Sequence, residues 1–184
     1  MPPVAAFPVK LSGGAMVPKS GYDRTGAQDK GLSIQASYGS QFQVTGQPSA
    51  VSLSVQQSGQ QFVFDRAAGT TFTLPAPPPV ANGESIYFDF FVKTTASGGN
   101  YKVITNAATV FLMGSLINID TDSSNAVAAW TADGTTIRAI TMNGGTTGGL
   151  LGTWFRIASI SPTQWMVFGI DQGSGVVATP FATS

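Results

Sequence analysis

"TTFTLPAPPPVANGESIYFDFFV" runs from Thr70 to Val92, and its reading decides the fold class. In its last third Ile86, Phe88, Phe90 and Val92 alternate with Tyr87, Asp89 and Phe91. A period of two is the mark of a strand, and this strand is apolar on both faces. Upstream, Pro75, Pro77, Pro78 and Pro79 have no N–H to donate to a sheet ladder. The strand ending at Leu74 must therefore stop, and the chain crosses in a stiff, polyproline-like bridge to Asn82-Gly83. We read the prolines as a corner between strands rather than as a docking site for a proline-recognition module.

The same period of two continues on either side. Val51, Leu53 and Val55 alternate with serines, and further strand-like runs lie at 61–64, 71–74, 101–105, 110–119, 126–130, 135–141, 154–160 and 165–170. Asp133-Gly134 has the chemistry of a primed hairpin turn, Ser161-Pro162-Thr163 turns the chain between two more runs, and Gly98-Gly99-Asn100 makes another tight connection. No window of a dozen residues carries a convincing helical repeat. Short strands without crossover helices predict an all-β fold, an antiparallel β-sandwich or jelly-roll-like domain over 51–184.

Residues 1–50 read differently. Five prolines and seven glycines interrupt them, and no periodic run survives. Phe7, Leu11 and Tyr22 are apolar anchors that a bare linker would not need, so this segment is expected to be an extended N-terminal arm whose anchors bind a partner.

Composition narrows the function classes. With 9 basic and 9 acidic residues, only 10% of the chain is charged, against roughly 25% in an ordinary soluble domain. Ser and Thr, 38 in all, take the place of charge. Such a surface exerts no pull on nucleic acid or an anionic membrane and resists self-association poorly, which fits burial against protein partners. Cysteine and histidine are both absent, which removes thiolate metal sites and the commonest general base. No cofactor is expected. The start of the chain lacks the basic and continuous apolar segments of a secretory signal, and no run approaches the ~18 apolar residues of a membrane span. Synthesis as a soluble cytoplasmic product is the expectation.

Catalysis would have to rest on carboxylates, and no pair of acids is singled out. Asp89 is the most interesting because it sits among aromatics. An outward position on an edge strand, or a pair with Lys102 or Arg156, explains it better than a general acid does. Asp120 and Asp122 have calcium-like spacing without the glycine and closing glutamate of an EF-hand loop, so a polar turn with side-chain caps is expected. Gly144-Gly145-Thr146-Thr147-Gly148-Gly149 has no following lysine or helix and reads as a flexible loop rather than a phosphate cradle. Tyr101, Trp130 and Trp154 are the aromatics a carbohydrate-binding module would expose.

Two stretches taken together carry a resemblance: the one at 70–92 and "GTWFRIASISPTQWMVFGIDQG" at 152–173. A strand ending in Thr-Leu-Pro, a glycine before an aromatic strand, and a closing hairpin with a tryptophan on each limb resemble the small β-modules of tailed-bacteriophage virion proteins. These are head decoration (cement) proteins and fibre or spike domains. The resemblance covers about residues 61–173 and carries no catalytic residue. It implies a non-enzymatic structural protein on the capsid surface of a virion, bound to the major capsid protein lattice and associated with itself as a homotrimer. The alternative it implies is a tail fibre or spike module that binds a host-surface carbohydrate receptor.

Overall fold

The computed structural model describes residues 9–10, 16–17, 43–44, 46–78, 85–123 and 126–184. The chain divides into two units, 1–40 and 41–184. In the first, β1 (Val9–Lys10) and β2 (Met16–Val17) pair antiparallel. Phe7, Leu11 and Tyr22 lie outside the described residues.

The second unit is a β-sandwich. Its strands are β3 (Gln43–Val44), β4 (Ala50–Ser52), β5 (Gln61–Phe64), β6 (Thr70–Thr73), β7 (Tyr87–Val92) and β8 (Tyr101–Ile104), then β9 (Phe111–Asp120), β10 (Val127–Asp133), β11 (Ala139–Met142), β12 (Trp154–Ser161), β13 (Gln164–Gly173) and β14 (Phe181–Ala182). Seven form one sheet in the order β10-β9-β13-β12-β7-β5-β3, and five form the other in the order β14-β11-β8-β6-β4. A 3₁₀ turn at Val55–Gln57 is the single helical element among the described residues. Sheet pairing begins at Gln43, ahead of the boundary at 50 that the change of period suggests.

The expected all-β sandwich is present, and its pairing is mixed rather than antiparallel throughout. From β3 to β8 the chain alternates between the two sheets, laying each new strand parallel to the last one in its sheet. Gln43, Gln61 and Asp89 come into line in one sheet, and Val51, Phe72 and Val103 in the other. Parallel neighbours need a crossover connection, ordinarily a helix. Here the crossover is a strand of the opposite sheet, so the absence of helices does not force antiparallel pairing.

The corners of this coil are tight. The turn at Arg66–Gly69 stacks on the one at Ser97–Asn100, where the N–H groups of Ser97 and Gly98 both donate to Ala67 O. A Cβ on Gly99 would lie 2.3 Å from Ala68 O, so only glycine lets these corners touch. The proline stretch is a third corner. Leu74 N–H still donates to Ile104 O, after which Pro75 ends the ladder and the chain leaves β6 for β7 in the facing sheet. Pro79 to Glu84 lie outside the described residues.

Asp133-Gly134 is not a hairpin turn, because β10 and β11 belong to different sheets. The Asp133 carboxylate accepts from the N–H groups of Thr135, Thr136 and Ile137 and from the Thr136 hydroxyl, capping a bend that carries the chain across. Those bonds favour the ionised form and hold its pKa far below the usual carboxylate range. Ser161-Pro162-Thr163 does close a hairpin, between β12 and β13.

Between the sheets lies an aromatic core. Phe62, Phe64, Phe72, Phe88, Phe90, Tyr101, Phe155 and Trp165 are fully buried. Their rings contact one another at centroid distances from 4.6 Å (Phe64–Tyr101) to 6.0 Å (Phe62–Phe88), in tilted, edge-on and stacked arrangements. Tyr101 donates its hydroxyl to Thr94 O at 2.6 Å, and burial pushes its pKa up to about 12.

Candidate functional site

Alternation along β9, β12 and β13 sends one set of side chains into this core and the other outward. In an ordinary sandwich the outward set is polar. Here Ile117 is 45% exposed, Phe168 43%, Ile170 42% and Met166 38%. The pairing registers put these residues side by side. One row across the sheet reads Phe91, Trp154, Ile170, Ile117, Ala129, and the next reads Asp89, Arg156, Phe168, Ser115, Thr131. Half-buried Trp154 touches Phe91 at 6.2 Å and Phe168 edge-on at 6.3 Å between ring centroids. The result is an apolar row across the outside of the seven-stranded sheet, extended along β13 by Phe168 and Met166 and bordered by the polar positions Asp89, Arg156, Ser115 and Thr131.

One ion pair crosses this face and neutralises itself. Arg156 Nε and Nη2 each donate to one carboxylate oxygen of Asp89, both at 2.7 Å, and its guanidinium lies 4.3 Å from the centre of the Tyr87 ring. The bond to Asp89 raises the Arg156 pKa further. The pair with Arg156 is thus the right reading of Asp89. The edge position is not, since β7 lies between β12 and β5. With both oxygens held by a guanidinium, Asp89 has no place as a general acid.

The remaining candidates are structural. Asp120 Oδ1 accepts from Asp122 N–H, and Asp122 Oδ2 accepts from Gly175 N–H, as side-chain caps of a turn do. Among the described residues no three His, Cys, Asp or Glu side chains gather as a metal site would require. Tyr101 is core, and Trp130 packs half-buried against the core, which leaves Trp154 as the one of the three named aromatics on the open face. No helix among the described residues is long and apolar enough to cross a membrane.

The glycine-rich loop is tied down rather than loose. Asn143 Oδ1 accepts from Gly145 and Thr147 N–H, and Gly149 N–H donates to the buried Asp171. Asp171 Oδ1 also accepts from the Thr153 hydroxyl at 3.0 Å, and Oδ2 from Asn118 Nδ2 at 3.0 Å. Desolvation outweighs these three bonds and pushes the Asp171 pKa up to about 6. Nothing in the spacing of Asn118, Thr153 and Asp171 announces this cluster; only the parallel pairing of β9 with β13 brings Asn118 opposite Asp171. The exposed row on β9 and β13 did have a signal. Both faces of 111–120 and 164–173 carry large apolar residues, as 86–92 does.

Comparison with protein families, with curated proteins and with solved structures finds no match for this chain.

Proposed function

We propose that this chain is a non-enzymatic structural protein that works by protein–protein contact, as a decoration protein bound to the capsid lattice of a bacteriophage. The observation that supports it is the outward face of the seven-stranded sheet, where Ile117, Met166, Phe168 and Ile170 are exposed together. Apolar patches beyond a few hundred Å² on a folded protein mark contact surfaces. The virion setting and the capsid partner rest on the resemblance of 70–92 and 152–173 to phage β-modules. In this reading the arm at 1–40 reaches along neighbouring capsid subunits and the sandwich caps the lattice.

Image reconstruction of the native particle, with the chain labelled, tests the proposal. Density on the head surface supports it. Location at the tail tip replaces it with the fibre reading, in which Trp154 and Phe91 offer rings to a sugar. A chain missing from purified particles overturns both.

A further inference from the structure

We infer that the outward face of the seven-stranded sheet is covered by a second copy of this chain. The inference deepens the reading of that face as a protein contact, by naming its occupant.

The face exposes enough apolar area for a subunit contact. Aromatic side chains bury roughly 150–250 Å² each, and large aliphatic ones lie toward the lower end of that range. Ile117, Ile119, Met166, Phe168 and Ile170 are each between 36% and 45% exposed, and Val127 at the sheet edge is 68% exposed. Together they present on the order of 500 Å² of apolar surface, before half-buried Trp154, Phe91 and Tyr87 are added. The largest patch on a typical monomer is about 300–600 Å², and each partner of a stable dimer buries about 800 Å². About 56–65% of such an interface is apolar, so 800 Å² per partner calls for roughly 450–520 Å² of apolar surface, which this face supplies within a single sheet.

Its charge also suits a like surface. A face that meets its own copy must not present an uncompensated charge to itself. Across β7, β9, β10, β12 and β13 the outward positions hold no lysine and no glutamate. Arg156 Nε and Nη2 both donate to Asp89, and the Asp133 carboxylate is occupied by its own turn. The face therefore carries no free charge that a like surface would repel, and none that would select a charged partner. Sheets in general pack face to face about 10 Å apart through interdigitating side chains.

The test uses the full chain. Light scattering and sedimentation equilibrium across a concentration series should show a particle of two or more subunits rather than 19.0 kDa. Phe168→Lys and Ile117→Glu, both at exposed positions, should each weaken self-association by at least a hundredfold while leaving circular dichroism unchanged. Val176→Lys, at a residue 89% exposed on a loop, should leave association as it is. Should the charged variants fail to fold, Ile117→Thr gives the same reading with a smaller, about tenfold, loss.

A wild-type chain that stays at 19.0 kDa at high concentration overturns the inference, as does an assembly that survives both charged variants. If the wild type is monomeric but Phe168→Lys abolishes binding to capsids, the face is the lattice contact, and the functional reading stands without the second copy. If the chain self-associates through this face yet binds no particle, the inference stands and the capsid reading falls.

Discussion

Asp171 is fully buried, and its carboxyl is the group most opposed to its surroundings. Its pKa is raised from 3.8 to about 6 because burial penalises the charge more than Gly149, Thr153 and Asn118 stabilise it. The sign follows from proton binding: the folded chain holds this proton more tightly than the unfolded chain does. Asp171 therefore contributes most to stability below about pH 3.8, and the contribution is lost as pH rises to about 6. The loss is on the order of 2–3 kcal/mol. Asn118 Oδ1 has no hydrogen-bond partner among the described residues, and a protonated Asp171 can donate to it once the Asn118 amide is turned. Asp171→Asn should hold the same arrangement at every pH. We expect the variant to be at least as stable as wild type at pH 7, by about 1 kcal/mol or more, with that advantage vanishing near pH 4. Chemical denaturation of both proteins from pH 4 to pH 7 checks it. A constant difference across that range would show that Asp171 is ionised throughout. The neighbouring Gly148 sets the fit of this site, since a Cβ there would lie 1.7 Å from Asp171 Oδ2. Its φ of +81° is also one that L residues rarely adopt. Gly148→Ala should cost about 2–4 kcal/mol, read as a lower thermal midpoint.

At the scale of the element, β7 shows why two-sided apolarity matters. Phe88 and Phe90 point into the aromatic core, while Tyr87 and Phe91 stand on the outward face beside Arg156 and Trp154. Phe88→Asp removes a fully buried ring that packs on Phe62 and Trp165 and leaves a carboxylate without a counter-ion. Loss of the ring alone costs about 3–5 kcal/mol and the buried charge several more, against a total stability of roughly 5–15. The variant should not fold. Phe168→Asp, on the outward side of β13, should cost about 1 kcal/mol or less in the monomer. Comparable thermal midpoints for the two variants would mean that the faces of this sheet are not distinct.

At the scale of the whole molecule, the division at 40/41 lets the arm be removed without cutting a sandwich strand. The cut must stop at residue 40, because Gln43 and Val44 pair with β5. Deleting 2–40 should leave the sandwich folded, with an unchanged strand signal in circular dichroism, and should weaken binding to capsids and lower their resistance to heat. Ordering an arm costs about 1–2 kcal/mol per residue fixed, so it attaches only if anchors such as Phe7, Leu11 and Tyr22 offset that cost. A truncated chain that protects particles as well as the full chain does would end the arm's role.

Strands, corners and the all-β class were legible in the sequence, because the period of two, the prolines and the turn residues act locally. Phe88 facing inward and Ser161-Pro162-Thr163 as a hairpin follow from that local grammar, whereas Asp89 could lie at an edge or pair with Lys102 or Arg156, and the register of β7 against β12 selects Arg156, 67 residues away. Four features needed tertiary structure, although the two-sided apolarity of 111–120 and 164–173 signalled the exposed row. The parallel coil from β3 to β8 was hidden, since its repeat of an aromatic strand, a glycine corner and a second strand is stretched by the proline insertion before β7. Asp133-Gly134 could not be told from a hairpin turn, because the residues of a turn do not record which sheet the next strand joins. The exposed row on β9, β12 and β13 and the buried Asn118–Thr153–Asp171 cluster depend on register between segments some fifty residues apart in the chain. An alternating sequence states that a strand has two faces, and only the packing of the second sheet against one of them decides which face is left open.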